Sequence, residues 1–327
     1  MTNGQEKSIS TKGFNHSIYL NMGSVCVIKY SGKNKGKQLS SEKYQLLLEI
    51  GLKTLAGKQN IAESIRKFIP SGVVGMKVNC LTGKLNSTPK ALTEGLSIIL
   101  INAGIEQNDI IIWERTNREL EQAGFELNAS SFGPRCLGTD TNNIGYSHEF
   151  YSAGEVDSLV SRVLTDLIDF NINLPILKDH SIAGLSAGLK NMYGAINNPN
   201  KFHDNNCDPF TADISNLEPI KLKNRFSIID AIRVQYNGGP GYDSRYLSFY
   251  NGLIISDDPV AADAIGLEIL EHLRKQNKLP TLKQNKREVK YLLSAEQRDL
   301  GIADKKLIDL KVIDIDDNGN QSEGKLI

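Results

Sequence analysis

Short apolar runs alternate with segments of helical spacing along most of this chain, and that alternation limits its fold more than any other feature. Residues 73–79 predict a buried strand, residues 87–104 a helix and residues 109–113 the next strand. Two strands joined through a helix of this length form a crossover, which places them parallel in one sheet. The sequence therefore predicts an α/β fold, with a mostly parallel sheet flanked by helices.

The remaining elements continue the alternation. Strands are predicted at residues 25–30, 172–178, 226–236, 252–256 and 306–315, and helices at 41–55, 158–170 and 258–273. Candidate N-caps, whose side-chain oxygens can accept backbone N–H bonds, are Ser41, Ser87 or Thr88, and Asp257 or Asp258. The 327 residues suffice for a single α/β domain over 1–327, with room for a small C-terminal lobe after about residue 204.

Composition argues against several classes of protein. Lys plus Arg and Asp plus Glu both number 38, so no excess of positive charge indicates a nucleic-acid partner. The four cysteines are far apart and form no CxxC pair, as a zinc knuckle or iron–sulfur cluster would require. The first twenty residues are polar, and no apolar run reaches the length of about 18 residues that spans a bilayer. We therefore predict a cytoplasmic protein with neither a nucleic-acid nor a membrane partner. The sequence leaves its oligomeric state open.

Polar side chains follow the apolar runs at the points where the predicted strands end. In parallel sheets, ligands bind outside the carboxyl ends of the strands, so these side chains are candidates for a shared site. They are Lys77 and Asn79 at the end of the strand 73–79, Glu114 and Arg115 after the strand 109–113, and Lys178 and His180 around the end of the run 172–178.

The segment 174–204 is the densest polar stretch between two elements of the chain. Histidine transfers protons near neutral pH, and a lysine beside another cation can have a lowered pKa. Taken alone, His180 is compatible with a hydrogen-bonded structural role, whereas the whole cluster favours a function because so many charges are costly to bury. The predicted catalytic residues are His180, Lys190, His203 and Lys77. The predicted substrate-binding residues are Asn79, Ser87, Thr88, Glu114, Arg115, Lys178, Asn191, Gly239 and Gly241, and the supporting acids are Asp213, Asp230 and Asp263.

Cofactor motifs are missing from these segments. The loop after Asn79 lacks the GxxxxGK[ST] pattern of a P-loop, and no GxGxxG fingerprint for a dinucleotide occurs. The gap of 23 residues between His180 and His203 is not a recognised metal-ligand spacing. We therefore predict no cofactor and no metal site, although a single divalent metal at the two histidines is compatible with the sequence.

Four motifs in a fixed order resemble the bacterial and archaeal family named domain of unknown function 362. They are the K-x-N strand end with its [ST]-x-P helix start, LPILKDH with GLSAGLKNMYG, the DAI and GGPG segments, and SDDPVAADAIG, together covering about residues 73–273. The resemblance implies that the site positions lie within these motifs. Many members of the family carry a ferredoxin-type cysteine cluster, which this chain does not have. The strand–helix pattern is also similar to the amino-terminal part of lactate racemase proteins.

These residues favour an enzyme that acts on a small anionic metabolite by general acid–base chemistry, as an isomerase, a lyase or a cofactor-independent rearrangement enzyme. Two alternatives stay open, an oxidoreductase related to the ferredoxin-bearing relatives and a metal or metabolite binding protein without turnover. On the leading hypothesis, Lys77, Asn79, His180, Lys190 and His203 converge on one pocket. An anion or one of the three supporting acids should then lie between the lysines.

Overall fold

The computed structural model describes residues 23–33, 37–130 and 132–327. Its strands are β1 (Gly23–Tyr30), β2 (Val74–Val78), β3 (Ile110–Glu114), β4 (Arg135–Gly138), β5 (Tyr151–Ala153), β6 (Val156–Ser158), β7 (Phe170–Leu174), β8 (Ile176–His180), β9 (Gly184–Ser186), β10 (Asn224–Gln235), β11 (Leu247–Ser248), β12 (Gly252–Ser256), β13 (Ile308–Ile315) and β14 (Gln321–Glu323). Its α-helices are α1 (Ser41–Ala56), α2 (Ile61–Phe68), α3 (Lys90–Asn102), α4 (Asn117–Ala123), α5 (Gly188–Asn191), α6 (Phe210–Asn216), α7 (Glu218–Lys223), α8 (Pro259–Gln276) and α9 (Tyr291–Glu296).

One large sheet runs in the order β14-β13-β1-β12-β10-β7-β2-β3-β4. From β10 to β4 every neighbouring pair is parallel, and β13 and β1 are parallel as well. Strand β12 is antiparallel to both β1 and β10, while β8 pairs parallel with β10 and antiparallel with β9. The mostly parallel α/β architecture predicted from the sequence is therefore confirmed. The carboxyl ends of β2, β3 and β7 lie at one edge, as expected for a site there.

Both faces of the sheet are covered, because successive side chains of each strand point to opposite faces. In β1, Val25 and Val27 join one apolar cluster and Cys26 and Ile28 join the other. The first cluster includes side chains of α5, α6 and α8, and the second includes those of α1, α2 and α3. Strands buried on both faces read as nearly continuous apolar runs, which is why the sequence marks them clearly.

Two helix starts differ from the sequence prediction. The N-cap of α1 is Ser40, whose side chain accepts the backbone N–H of Lys43, so the predicted cap Ser41 is wrong by one residue. Helix α3 follows Pro89 and has no side-chain cap, so the prediction of Ser87 or Thr88 is also wrong. Asp258 does cap α8, as predicted, by accepting two backbone N–H bonds of the first turn.

Thr88 is engaged elsewhere, because its hydroxyl joins the ends of β2 and β7. Its Oγ1 donates to the carbonyl of Leu174 at 2.6 Å and accepts the backbone N–H of Asn79 at 2.8 Å. These two bonds hold the hydroxyl at the strand ends, and it makes no capping bond to α3. The side chain instead fixes the strand end from which Asn79 reaches the site.

The helix predicted over residues 158–170 is wrong. Only a single π-helical turn, Val163–Leu167, forms there, between β6 and β7. The apolar residues have helical spacing, but the backbone around Val160 and Ser161 bonds to distant segments at Ser147 and Ala195. These tertiary hydrogen bonds replace the local ones that a helix would need.

The strand predicted over residues 172–178 is two strands, β7 and β8, separated by Pro175. Proline has no N–H to donate to a ladder, and the Pro175 carbonyl accepts the backbone N–H of Asp230. The break turns the second half onto its own path, so β8 pairs with β10 and β9. Lys178 and His180 thereby lie on a separate short strand.

The structure leaves two further predictions untested. Strands β10, β12 and β13 follow residue 204 and belong to the same sheet as β2, and the division near residue 204 stays a prediction. The polar segment over residues 1–20 lies outside the described residues. Within the described part of the chain, no helix has both the length and the apolar character needed to cross a membrane.

We expect Thr88→Val to destabilise the protein by about 1–3 kcal/mol, because it leaves a buried carbonyl and a buried N–H without a partner. Urea unfolding of the variant measures the loss. The matched control is Thr93→Val in α3, where the hydroxyl bonds only within its own helix, to the carbonyl of Lys90. An equal loss in both variants would contradict the proposed role of Thr88.

Candidate functional site

Strand β8 presents its residues alternately to two environments. Lys178 and His180 share one face, and Asp179 between them points to the other. The Asp179 carboxylate accepts hydrogen bonds from Arg287 Nη1 at 2.8 Å and from the backbone N–H of Gly239 at 3.0 Å, and Arg274 Nη1 lies 3.4 Å away. Arg287 Nη1 also donates to the His180 carbonyl at 3.0 Å. The cluster around Asp179 thus holds β8 in place from behind.

Helix α5 is held by a carboxylate from α8. Asp263 accepts the backbone N–H of Gly188 at 2.6 Å and that of Leu189 at 3.0 Å, so it caps this four-residue helix. The pKa of Asp263 is raised to about 7, because the effect of complete burial exceeds the opposing effect of the two backbone hydrogen bonds. The cap fixes the backbone of Lys190 and Asn191, which end the same helix. Asp263 therefore positions the site without lying inside it.

Three asparagines and a lysine form a hydrogen-bonded network between β2, β7, β8 and α5. Asn79 Nδ2 donates to Asn191 Oδ1 at 3.0 Å, and Asn191 Nδ2 donates to Asn173 Oδ1 at 2.8 Å. Lys178 Nζ donates to Asn79 Oδ1 at 3.1 Å. Asn79, Lys178 and Asn191 were all predicted to bind substrate, and these hydrogen bonds join them although they lie far apart in the chain.

Lys77 is neutralised inside the protein. Its Nζ lies 2.6 Å from Glu114 Oε1 and also donates to the Val78 carbonyl, and the Lys77 side chain has no exposed surface. Glu114 accepts the backbone N–H of Cys80 through its other oxygen. A Cβ on Gly194 would approach Lys77 Nζ to 2.8 Å, so glycine is the residue that fits against this pair. We assign Lys77 a supporting position beneath the network.

Lys178 and Lys190 differ from Lys77 in having no acid beside them. Among the residues that the structure describes, no carboxylate oxygen lies within 4.0 Å of either ammonium nitrogen. Both residues are buried, with exposed fractions of 1% and 6%. Burial lowers the pKa of Lys178 to about 8 and that of Lys190 to about 7. Both amines are thus held out of water without an ion-pair partner within 4.0 Å among the described residues, and the more distant Glu114 offsets only part of the effect of burial on Lys178.

Lys190 has two close neighbours. Its Nζ lies 3.1 Å from His203 Nε2 and 3.0 Å from the centre of the Tyr193 ring. His203 Nδ1 lies 3.0 Å from the Pro199 carbonyl, which can only accept, so Nδ1 carries the proton. The Nε2 lone pair of neutral His203 therefore faces the Lys190 ammonium. Burial and the Lys190 charge lower the pKa of His203.

His180 is the opposite tautomer. Its Nδ1 accepts the backbone N–H groups of Ile182 and Ala183 at 3.2 and 3.1 Å, so in the neutral ring Nε2 carries the proton. Burial, then the charges of Lys190, His203 and Lys178, lower the pKa of His180 to about 2. Its ring stacks on His203 with centroids 5.7 Å apart. His180 is therefore a neutral hydrogen-bond donor near neutral pH.

None of the three predicted supporting acids lies between the lysines, so that half of the expectation is wrong, and an anion at this place stays a prediction. Asp213 pairs with Arg298, and Asp230 accepts the hydroxyl of Tyr44 at 2.6 Å on the α1 side of the sheet. Asp263 caps α5, as described above. Which acid meets which base depends on packing that sequence spacing does not encode.

The other predicted binding residues are placed differently from one another. Arg115 pairs with Glu119 at 2.9 Å, whereas the buried Ser87 hydroxyl has no hydrogen-bond partner among the residues that the structure describes. Gly239 packs directly on Asp179, where a Cβ would be 1.8 Å from the carbonyl oxygen, and the Gly241 carbonyl accepts from Gln235 at 2.7 Å. The GGPG loop thus borders β8, and these contacts connect none of the four residues to the lysines.

Sequence reasoning missed several residues that build the site. Asp179, Asn173 and Tyr193 touch or support predicted residues, and Arg274 and Arg287 anchor β8 from the far end of the chain. Asp179 and Asn173 carry a signal in retrospect, since both are polar residues inside apolar runs. The two arginines lie in polar surroundings that give no such signal.

The shape of the surface does not single out this cluster, because most of its side chains are buried. Cavities of about 500 Å³ beside β13 and β14 and about 200 Å³ between β1 and α1 lie elsewhere. The first is lined by residues of β13, β14 and Gly324, the second mainly by residues of β1, α1 and β13, and no histidine lines either of them. Among the described residues, no three His, Cys, Asp or Glu side chains are grouped as metal ligands. Electrostatics, rather than the shape of a cavity, therefore distinguishes this cluster.

Comparison with known proteins places the chain in a family. Residues 74–268 match the model of the domain of unknown function DUF362, and this range contains every predicted site residue. The chain belongs to the DUF362 family. It is also similar to the crystal structure of a Thermotoga maritima protein, a structural-genomics target, with 13% sequence identity and a TM-score of 0.38. That match covers 75% of this chain and 60% of the other, and a search of curated proteins gives no match.

We expect Lys77→Met to cost about 3–5 kcal/mol of stability, because it leaves the buried Glu114 carboxylate without its partner. Lys190→Met should leave the free energy of unfolding unchanged or raise it at pH 7, since it removes a buried cation that has no carboxylate. Chemical denaturation of both variants measures the contrast. A large loss in Lys190→Met would show that this lysine is a structural residue.

We also expect stability to depend on pH through Lys178 and Lys190. Their pKa values are lowered to about 8 and about 7 in the folded state, against about 10.4 in an unfolded chain. Between these values the unfolded state binds more protons, so the free energy of unfolding should rise from pH 7 to pH 10, by roughly 6 kcal/mol at about 1.4 kcal/mol per unit of pKa difference. The variant Lys178→Met/Lys190→Met should lose this rise, and exposed Lys283→Met should keep it. Equal pH profiles for all three proteins would contradict the lowered pKa values.

Proposed function

We propose that this protein binds a small anionic metabolite at Lys178 and Lys190 and acts on it by general acid–base chemistry. The observation that supports this most is the pair of buried ammonium groups with no carboxylate within 4.0 Å among the described residues. Burying an uncompensated charge is expensive. A carboxylate or phosphate group of a ligand would supply the missing charge and accept charge-assisted hydrogen bonds.

Lys190 and His203 are the groups suited to move a proton. They share one hydrogen bond of 3.1 Å, and burial lowers the pKa of both. Two groups this close titrate as a coupled pair, so one proton can reside on either near neutral pH. A positioned base of this kind accelerates proton transfer by about 10²–10⁴-fold. The reaction class we propose is proton transfer next to a carbonyl group.

The remaining residues have binding and orienting roles in this proposal. His180 offers its Nε2–H to an oxygen of the ligand, and Lys178 offers its charge. Asn79 and Asn191 hold these groups in place through the amide network. His203 and Asn79 are the partly exposed members of the cluster, so a ligand would enter from their side. The four free thiols are compatible with a reducing compartment, and we propose the cytoplasm.

A binding protein without turnover is the second candidate. The specific observation in its favour is that the pKa of His180 is lowered to about 2, which removes one predicted acid–base residue from proton transfer. The oxidoreductase alternative and a single divalent metal at the histidines stay predictions from the sequence.

We expect pyruvate, 2-oxobutyrate or dihydroxyacetone phosphate to raise the midpoint of thermal unfolding, because each carries an anionic group and a carbonyl. The same protein should exchange the hydrogens next to that carbonyl with deuterium from solvent, as followed by NMR. His203→Gln keeps a hydrogen-bonding side chain but cannot take up a proton. It should therefore bind the ligand and exchange at least about 100-fold more slowly.

The controls separate the two candidates. Lys178→Met and Lys190→Met should lose the thermal shift, whereas Lys283→Met, with an exposed side chain, should keep it. Binding without deuterium exchange for all three compounds would favour the binding protein. No shift with any compound, or equal shifts in the wild type and both site variants, would refute the anion site.

A further inference from the structure

The surroundings of Lys190 are those of a nucleophilic amine. Its Nζ contacts the face of Tyr193 and the Nε2 atom of His203, and the side chain is 6% exposed. An amine attacks a carbonyl only as the free base, and desolvation in a buried pocket is one usual way to obtain it at neutral pH. Lys77, which is paired with Glu114, lacks these conditions.

His203 is oriented to take the proton that must leave. The Pro199 carbonyl fixes hydrogen on Nδ1, so the only free lone pair of the ring lies on Nε2, 3.1 Å from Lys190 Nζ. A proton can pass along this bond without any rearrangement of the ring. The T-shaped contact between His203 and Tyr193, with ring centroids 5.2 Å apart, keeps the imidazole at this position.

We infer that Lys190 is a nucleophile that forms an imine with the carbonyl carbon of a small anionic 2-oxo acid or keto phosphate. This inference rests on the proposed function, because the ligand must first bind at the same site. It also gives the proposed proton transfer a chemical basis. An iminium withdraws electrons from the neighbouring carbon, so a hydrogen there becomes easier to remove.

The step balances without an added reactant. Lys190 gives one proton to His203 Nε2, and the amine nitrogen then bonds to the carbonyl carbon while the π electrons move to oxygen. Proton transfers from nitrogen and from His203 convert that oxygen to water, which leaves as the C=N bond forms. In total, one ammonium and one carbonyl give one iminium and one water, and no electrons are gained or lost.

The two unpaired lysines have different roles in this scheme. Lys178 donates to Asn79 Oδ1 at 3.1 Å, and no histidine ring nitrogen lies within hydrogen-bond distance of its ammonium among the described residues. It therefore keeps its proton and binds the anionic group. Lys190 has the proton acceptor and forms the covalent bond. The division predicts which lysine a trapping reagent will modify.

The test is reductive trapping of the full-length chain with sodium borohydride in the presence of pyruvate, 2-oxobutyrate or dihydroxyacetone phosphate, each separately. Hydride reduces an iminium to a stable amine, so the chain gains the mass of one probe less one oxygen atom. We expect this gain on the peptide that contains Lys190 with at least one probe, and none in Lys190→Met. Lys178→Met should still be modified on Lys190, but should need a probe concentration at least about tenfold higher.

The outcomes separate this inference from the proposed function. Equal modification of exposed lysines such as Lys283 and of Lys190, or no modification of Lys190 with any probe, overturns the inference. If a thermal shift and deuterium exchange persist in that case, the acid–base function stands without a covalent intermediate. If the shift is also absent, both proposals fail. Unchanged modification in Lys190→Met would place the nucleophile elsewhere.

Discussion

Glu114 and Lys77 form a fully buried ion pair where two neighbouring parallel strands end, and the local architecture depends on that contact. The carboxylate also accepts backbone N–H groups of Cys80 and Arg115, so one side chain organises the exits of β2 and β3. Gly194 packs against the pair from above, which brings the segment after α5 close to the sheet. Because their charges cancel, Lys77 and Glu114 support the amide network without adding net charge to the site.

At Lys178 and Lys190, by contrast, the positive charge is not cancelled by an ion pair within the described part of the chain. Among the described residues no carboxylate oxygen lies within 4.0 Å of the Lys178 or Lys190 ammonium, and the pKa values of the two histidines beside them are lowered. The protein holds this arrangement with bonds made away from it, through Asp179 behind β8 and Asp263 beneath α5. Stability that the folded chain gives up at these two lysines is available to a ligand that carries negative charge. This separation of supporting and ligand-facing charges is the main reason to read the cluster as functional.

The sequence predicts the edge of the sheet better than the connections within it. Lys178 and His180 could be placed at a strand end because buried strands produce apolar runs and their ends do not. The supporting acids could not be placed, since Asp213 and Asp230 are as polar as Asp263 and only packing distinguishes their partners. Residues 158–170 have the spacing of a helix, and only the distant backbone groups that bond to Val160 and Ser161 prevent one. The role of Asp179 could not be predicted for a related reason, because the arginines that bond to its carboxylate lie about a hundred residues further along the chain.

Helix α5 is only four residues long and has no independent stability, because a single turn does not repay the cost of nucleation. It exists where a carboxylate from α8 receives its first two backbone N–H groups. During synthesis, a chain that has emerged from the ribosome only as far as His203 already contains Lys178, His180, Lys190 and His203, yet the helix that holds Lys190 still lacks its cap. The position of Lys190 is therefore fixed late, after residue 263 has emerged and α8 has docked. A nascent or truncated chain carries these four side chains without their folded arrangement.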